Sequence, residues 1–161
     1  MVFKYTAKYL NTAPLQESCT KAKVFGLVSL IYRDLIKIKT EKDGFYDITK
    51  EIAAVVEKSK IKDGLCNVFV KGTTASLLLN ENDRMLIEDF RKLFQRMAPG
   101  DHLYQHPDNA QSHLRASMLN IDLTIPVADR KLTLGTWQSL LLFEFDIQPR
   151  EREIIVTVQG A

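Results

Sequence analysis

The sequence predicts an α+β fold with antiparallel β-sheets, formed as a single domain by 161 residues. Two observations carry this prediction. Strand-like segments are concentrated toward both ends of the chain, and helical periods lie between them instead of alternating with single strands. The hydrophobic content of 45% and the charged content of 26% are typical of a globular protein, and a chain of this length can bury a sizeable core.

The first 23 residues are polar and without a clear period, which predicts an arm or an irregular lead-in. The apolar run at 24–31 resembles the core of a signal peptide. However, Arg33 and Asp34 follow it directly, and no small-residue cleavage site is present. The run is also too short to cross a bilayer. We therefore expect a buried strand or a short core helix there.

The next part of the chain is predicted to contain four strands and two helices. The strands are expected at 33–39, 45–46, 65–70 and 75–79, with the last two forming an antiparallel pair because their connection is short. The first helix is expected to follow Thr49 as its N-cap, and its apolar face is Ile52, Val55 and Val56. The second helix is expected to begin within 80–83 and to end at 98–100, with an apolar face of Leu86, Phe90, Leu93, Phe94 and Met97.

The remaining elements are a short helix and the closing strands. The helix is predicted from Ala110 to Leu119, with Leu114 and Met118 facing inward. Beyond it, the pattern indicates a strand that ends at Pro126, a turn at 129–130, a return at 131–134, and strands at 139–146 and 154–158.

Charge and cysteine content narrow the classes of partner. The net charge is +2, from 22 basic and 20 acidic residues, so neither a nucleic acid nor a membrane is expected as partner. Cys19 and Cys66 are far apart and form no Cys-x-x-Cys motif, which excludes a disulfide framework or a zinc knuckle. Cys66 lies in an apolar run and is predicted to be buried. A cytoplasmic location is expected.

All three histidines, His102, His106 and His113, lie within one loop-rich segment, which suggests a site because imidazole is the usual group for metal ligation and proton transfer near neutral pH. In one continuous helix, His106 and His113 would lie about 10 Å apart along the axis and would not converge. Convergence requires His106 in a loop and a helix that starts near Asn109, a good N-cap. Pro107 permits both alternatives. The competing interpretation is a pair of surface or hydrogen-bonded histidines.

Four other features leave two interpretations each. Glu144, within a leucine-rich strand, is either a functional carboxylate or part of the polar face of an edge strand. The segment 80–82, beside Thr73 and Thr74, either holds a phosphate or simply leads into a helix that Asn82 or Asp83 caps. Trp137 and Gln138 either stack on and hydrogen-bond a flat heterocycle, or Trp137 is a core residue. The three cations Lys131, Arg150 and Arg152 either meet an anion or face solvent, and solvent is the expectation.

Several sequence blocks stand out together between about residue 33 and the C-terminus. In the first half they are Phe45-Tyr46-Asp47-Ile48-Thr49, Val68-Phe69-Val70-Lys71-Gly72-Thr73-Thr74-Ala75 and Leu79-Asn80-Glu81-Asn82. In the second half they are Tyr104-Gln105-His106, Asn109-Ala110-Gln111-Ser112-His113-Leu114, Leu132-Thr133-Leu134-Gly135-Thr136-Trp137-Gln138, Phe143-Glu144-Phe145-Asp146 and Pro149-Arg150. In their order and spacing these blocks resemble the YjbQ-like family, which carries the name secondary thiamine-phosphate synthase. On this basis residues 1–32 are an extension of unknown role and residues 33–161 form the YjbQ-like domain.

The resemblance implies a sandwich-like arrangement of the sheets with flanking helices, and a homotrimer with pockets near the subunit contacts. It implies a transferase that joins a pyrimidine diphosphate to a thiazole phosphate, assisted by a divalent metal, zinc or magnesium. His106 and His113 would be metal ligands and, with Glu81 and Glu144, catalytic groups. The substrate-binding residues would be Thr73, Thr74, Asn82, Asn109, Thr136, Trp137 and Gln138.

The chain departs from the family pattern at Gly72, where a histidine usually precedes the paired threonines. One expected ligand is therefore missing. This departure supports an alternative function, that of a non-catalytic homotrimer that binds a small phosphorylated ligand and has a degenerate metal site.

Overall fold

The computed structural model describes residues 18–24 and 27–161, and within them the chain forms nine strands and three helices. The strands are β1 (Ser18–Val24), β2 (Leu27–Thr40), β3 (Phe45–Asp47), β4 (Gly64–Val70), β5 (Ala75–Asn80), β6 (Asp122–Ala128), β7 (Lys131–Leu132), β8 (Ser139–Glu144) and β9 (Arg150–Gly160). The helices are α1 (Thr49–Ser59), α2 (Arg84–Met97) and α3 (Ala110–Ala116).

The strands form two antiparallel sheets. The larger sheet has the order β1-β2-β9-β4-β6-β7, and the smaller has the order β3-β8-β5. This arrangement confirms the predicted α+β domain with antiparallel sheets in a sandwich-like arrangement. None of the helices in the described part of the chain is long and apolar enough to span a bilayer.

The main core lies between the two sheets and α1. In β4 and β9, buried side chains alternate with more exposed ones, so the larger sheet turns one face to the core and the other outward. The smaller sheet contributes Leu77, Leu140 and Leu142 to the same core, and α1 contributes Ile52 and Val56. The apolar face predicted for α1 is therefore confirmed.

A second core lies on the other face of the smaller sheet. There Leu141, Phe143 and Phe145 pack with Phe94 of α2 and Ala116 of α3. Because β8 is the central strand of its sheet and is covered on both faces, almost every one of its residues is buried. This double coverage explains the continuous apolar run at 140–143.

Two predictions about strands are wrong. β4 and β5 do not pair: β4 lies between β9 and β6 in the larger sheet, whereas β5 pairs with β8 in the smaller one. The four residues between them cross from one sheet to the other. The supposed irregular lead-in contains β1, which pairs with β2 from Ser18 to Val24; residues 1–17 lie outside the described residues.

The apolar run at 24–31 is strand wherever the structure describes it, because Val24 ends β1 and Leu27 begins β2. β2 also crosses the predicted boundary between residues 32 and 33. The assignment of residues 1–32 as an extension stays a prediction. The turn at 129–130 is confirmed, with both residues at positive φ, as in the two-residue hairpins that suit twisted strands.

Three details of the helices also differ from the predictions. The N-cap of α1 is Ile48, not Thr49, whose amide instead donates to Asp47 Oδ1 at 2.9 Å. On α2 only Phe94 is fully buried, and Leu93 and Met97 are exposed. On α3 the buried residues are small, namely Ala110, Ser112 and Ala116, whereas Leu114 and Met118 face outward.

Candidate functional site

The histidine segment forms a loop followed by a short helix. α3 begins at Ala110 with Asn109 in the N-cap position, so His106 lies in the preceding loop. The ring centroids of His106 and His113 are 5.4 Å apart, with the rings edge to face. The two imidazoles are therefore neighbours, and His106 lies in a loop as convergence on one point requires. His102 is not part of this pair, because its ring packs on Tyr104 at 4.9 Å.

Asn109 orients one of the two imidazoles. Its Oδ1 lies 3.0 Å from His106 Nε2, and its side chain makes no capping hydrogen bond to α3. This contact leaves Nδ1 as the His106 ring nitrogen that Asn109 does not engage.

The two histidines line an open depression of about 490 Å³ together with Tyr104, Gln105, Ala110 and Leu114. A mostly apolar concavity with a few convergent polar groups is typical of small-molecule sites. Neither Glu81 nor Glu144 is among the residues that line it. Within one chain, the predicted carboxylates therefore do not join the histidine pair.

Glu144 is instead the centre of a buried polar network. Its carboxylate accepts hydrogen bonds from Arg152 Nε at 2.6 Å, Arg152 Nη2 at 2.5 Å and Thr40 Oγ1 at 2.8 Å. Glu144 is 1% exposed and Arg152 is 8% exposed. The edge-strand interpretation is wrong because β8 is the central strand, and the expectation that Arg152 faces solvent is also wrong.

Thr74 and Asp146 extend this network to the connection between β4 and β5. Thr74 Oγ1 accepts a hydrogen bond from Arg152 Nη2 at 2.6 Å and donates to Asp146 Oδ2 at 3.2 Å. Asp146 also pairs with Arg150 at 2.8 Å. Thr74 is buried, whereas the neighbouring Thr73 is exposed. Only Thr73 therefore presents its side chain to solvent.

Both the backbone conformation of Gly72 and its surroundings disfavour a side chain at this position. Its φ of +135° lies in a region that side chains rarely adopt, and a Cβ there would lie 2.7 Å from Arg152 Nη1. The space in which a side chain would begin is thus occupied by a guanidinium group. Sequence reasoning identified the glycine and considered Arg152, but it missed the pairing of Arg152 with Glu144, because the two residues lie in different sheets and meet only where those sheets pack together.

The segment 80–82 links to β3 and leads into the capped start of α2. Asp83 is the N-cap of α2, and its Oδ1 accepts from the amides of Met85 and Leu86, each at 2.9 Å. Asn82 is exposed and donates to Asp47 Oδ2 at 3.0 Å. Glu81 is exposed, and its amide donates to Asn80 Oδ1 at 2.8 Å. The capping interpretation is confirmed for this segment.

Trp137 lies at the tip of an exposed turn and is itself 72% exposed. Gln138 closes the turn with two hydrogen bonds to Gly135. Its side-chain Oε1 accepts from the Gly135 backbone amide at 2.7 Å, and its backbone amide donates to the Gly135 carbonyl at 2.9 Å. Thr136, which lies between Gly135 and Trp137, is exposed. The interpretation of Trp137 as a core residue is wrong, and its indole ring is available for stacking.

The donor set of one chain does not fit a three-ligand metal site. Among residues 29–161, no group of three or more His, Cys, Asp or Glu side chains is placed to hold a metal ion. His106 and His113 supply two imidazoles, whereas a catalytic zinc site uses about three protein ligands and magnesium prefers oxygen. At Gly72, the expected origin of a third imidazole, a guanidinium is found instead.

Comparison with known proteins identifies the family. The family model described as "UPF0047 protein YjbQ-like" matches residues 34–161. The chain belongs to this family. It is 36% identical over 139 residues to a UPF0047 protein of Methanothermobacter thermautotrophicus, and the aligned region covers 84% of this chain and 96% of the relative. It is 33% identical over 135 residues to the UPF0047 protein YjbQ of Escherichia coli, which covers 80% and 98%.

Solved structures agree with this membership. A YbjQ-like protein of unknown function from Sulfolobus solfataricus superposes with a TM-score of 0.79 and 36% identity, covering 83% of this chain and 99% of its own. A YjbQ/UPF0047 family protein from Clostridium acetobutylicum superposes with a TM-score of 0.74 and 33% identity, covering 78% and 98%. The YjbQ-like resemblance predicted from the sequence blocks is confirmed.

Proposed function

We propose that this protein is a transferase resembling secondary thiamine-phosphate synthase, which joins a pyrimidine diphosphate to a thiazole phosphate. The observation that carries the proposal is the proximity of His106 and His113, with ring centroids 5.4 Å apart, at an open, mostly apolar depression. In this reaction a carbon–nitrogen bond forms as a carbon–oxygen bond breaks and pyrophosphate leaves. Imidazoles at that position supply general acid–base catalysis or hydrogen bonds to the departing phosphate.

The other predicted residues differ in which side-chain groups remain free to contact a substrate. Thr73 presents an exposed hydroxyl for a phosphate, and Trp137 presents an exposed ring face for a heterocycle. Gln138 retains its side-chain amide hydrogens, because only its carbonyl oxygen binds Gly135. Glu81 is an exposed carboxylate, whereas the carboxylate of Glu144 is held by Arg152. Glu144 therefore contributes by positioning in this proposal.

Assembly as a homotrimer is part of the proposal. The lining of the histidine depression within one chain includes neither Thr73 nor Trp137. A neighbouring subunit is a natural source for the missing phosphate-binding and stacking groups. The molar mass of the purified protein in solution, measured by light scattering, checks the trimer, and a monomeric mass would contradict it.

A divalent metal, zinc or magnesium, stays a prediction. The residues of one chain do not fit a three-ligand site, so the proposed chemistry relies on proton transfer by the two imidazoles. Elemental analysis of the purified protein tests the metal separately. A stoichiometric content of zinc that is lost in His113→Ala would show that the histidines are ligands instead.

The test of the transferase is direct measurement of thiamine phosphate from both substrates, with and without added zinc or magnesium. We expect turnover by the native protein and at least a ~100-fold loss in His113→Ala. His102→Ala is the matched control, because His102 lies outside the pair, and it should keep full turnover. Native turnover no higher than that of His113→Ala would overturn the proposal.

The alternative function, a non-catalytic small-ligand-binding protein, is favoured by one observation. Gly72 and the Arg152 guanidinium stand where the family pattern has a histidine. Isothermal calorimetry with the pyrimidine diphosphate and the thiazole phosphate distinguishes the two functions. Binding that depends on His113 but yields no thiamine phosphate supports the non-catalytic alternative.

A further inference from the structure

A second cavity, which shares no lining residue with the histidine depression, lies between α2, α3 and the end of β8. Its volume is about 640 Å³, within the range of roughly 300–1,000 Å³ that is usual for small-molecule sites. Four phenyl rings contribute to its lining, and we call it the aromatic groove: Phe45, Phe94, Phe143 and Phe145.

The rings of the aromatic groove hold each other in place. Phe143 is edge to face with Phe45 at 4.8 Å and with Phe94 at 5.7 Å. Phe94 is in turn edge to face with Phe145 at 5.0 Å. Edge-to-face contacts at these distances are favourable beyond simple burial. The floor is therefore preorganised, so a ligand that stacks on it has little ordering cost to meet.

The rim of the groove is basic: Arg91, Lys92, Arg96 and Arg115 line it, against two acidic residues, Asp43 and Glu144. The Glu144 carboxylate is neutralised by Arg152. Asp43 lies 3.7 Å from Arg115, which is fixed by hydrogen bonds from its Nε to the Ala98 carbonyl at 2.9 Å and from its Nη2 to Gln95 Oε1 at 2.6 Å.

The remaining cations differ in how strongly they are engaged. Arg91 and Lys92 form exposed pairs with Glu88 and Asp89, at 3.5 Å and 3.4 Å, one turn away on the same helix. Such surface pairs are weak and exchange readily. Arg96 has no salt bridge among the described residues, although it lies on the rim. Its guanidinium is therefore available to an incoming anion.

We propose that the aromatic groove binds a small aromatic carboxylate, with the ring system on the phenylalanine floor and the carboxylate on Arg96. An apolar floor supplies most of the affinity, and a planar guanidinium provides a matched, charge-assisted partner for a carboxylate. Charge complementarity favours the anion over a neutral ligand of the same shape. The groove shares no lining residue with the histidine depression, and its ligand binding is measured separately from the proposed transferase activity.

The experiment uses naphthalene-2-carboxylate as the probe and the neutral 2-naphthalenemethanol as its shape-matched reference. Dissociation constants for both are measured by calorimetry with the full-length native protein. We expect the carboxylate to bind about 10-fold more tightly than the alcohol, the usual order for one charge-assisted hydrogen-bonded pair. Equal affinities, or no binding of either compound, would overturn the proposal.

Three variants locate the site. Arg96→Gln should weaken carboxylate binding about 10-fold and change alcohol binding less than about 2-fold, whereas Arg96→Lys should restore part of the difference. Lys50→Gln removes an exposed charge outside the groove and should change neither constant. Because both positions are exposed, the three variants are expected to fold, and circular dichroism checks this.

The remaining outcome concerns a second copy of the chain as occupant of the groove. If Arg96→Gln lowers the molar mass of the assembly and naphthalene-2-carboxylate does not bind the native protein, the groove is a subunit contact and the proposal is wrong. An unchanged mass together with selective loss of carboxylate binding supports it.

Discussion

At the scale of single residues, Gly72 decides the shape of the connection between the two sheets. Its positive φ turns the chain where β4 leaves the larger sheet, and Arg152 Nη1 fills the space beside it. A side chain at position 72 would force the Arg152 guanidinium to shift from its place. Glycine at position 72 is therefore linked physically to the buried pair of Arg152 with Glu144.

We predict that Gly72→Ala lowers the free energy of unfolding by about 1–3 kcal/mol, because it combines a strained backbone with a steric clash. Urea-induced unfolding followed by fluorescence measures the change. Gly100→Ala is the matched control, since a Cβ there would meet its nearest neighbour only at 3.9 Å. A loss of the same size in both variants would contradict the prediction.

The acid stability of the protein depends in part on Asp146. Burial by itself raises the pKa of this carboxyl, but hydrogen bonds from Arg150 and from the Ile147 amide outweigh burial and leave the pKa below its ordinary value. Because the folded-state pKa is the lower one, Asp146 stabilises the fold fully above the unfolded-state pKa. This contribution is lost as the pH falls through the folded-state pKa.

We therefore expect the free energy of unfolding to fall below about pH 4, and to fall less steeply in Arg150→Gln, which removes the ion pair. Urea titrations at several pH values between about 2 and 7 measure this slope. Lys50→Gln, remote from Asp146, serves as the reference and should keep the native slope. Identical slopes in all three proteins would refute the assignment to Asp146.

At the scale of elements, α2 depends on its N-terminal cap because little of its surface is buried. Its sequence is strongly amphipathic, yet Leu93 and Met97 are exposed in the monomer, and Phe94 is its one fully buried residue. The two amide hydrogen bonds to Asp83 satisfy donors that the helix itself cannot.

Asp83→Ala is expected to lower the free energy of unfolding by about 1 kcal/mol, the usual value of an N-cap. Asn82→Ala provides the comparison at the adjacent position, because Asn82 donates only an exposed hydrogen bond to Asp47. Its effect should be below about 0.5 kcal/mol. Thermal unfolding measures both. A larger loss in Asn82→Ala than in Asp83→Ala would show that the cap is assigned to the wrong residue.

At the scale of the whole molecule, the space between the sheets is closed to solvent. Cys66 is fully buried there on β4, and burial raises the pKa of its thiol to about 12. The reactive thiolate is therefore scarce, and reagents reach the sulfur only when the sheets separate.

We predict that, in a Cys19→Ser variant, Cys66 reacts with iodoacetamide at pH 8 only at the rate of global opening. Mass spectrometry after timed labelling measures this rate in the native protein and in urea, where modification should be rapid. Labelling that is rapid without denaturant and insensitive to urea would contradict a closed interior. Introducing the destabilising substitution Gly72→Ala into this variant should accelerate the labelling of Cys66 in the absence of urea.

The difference between local and distant contacts explains which predictions from the sequence were correct. Helical and strand periods depend on neighbouring residues, so α1 and the α+β class followed from the pattern of residues such as Ile52 and Val56. The approach of His106 to His113 was also foreseeable, because seven residues and one N-cap position decide it. The family blocks added the identity of the fold.

Only the tertiary structure assigned β4 and β5 to different sheets and joined Glu144 to Arg152. Strand partners are chosen by the burial of whole faces, and the two strands share a short connection whatever their partners are. Likewise, Leu114 and Met118 have the apolar character of core residues, yet the small residues of α3 face the smaller sheet. Local chemistry therefore determined the elements and the histidine pair, whereas competition among distant surfaces decided the sheets and the buried charges.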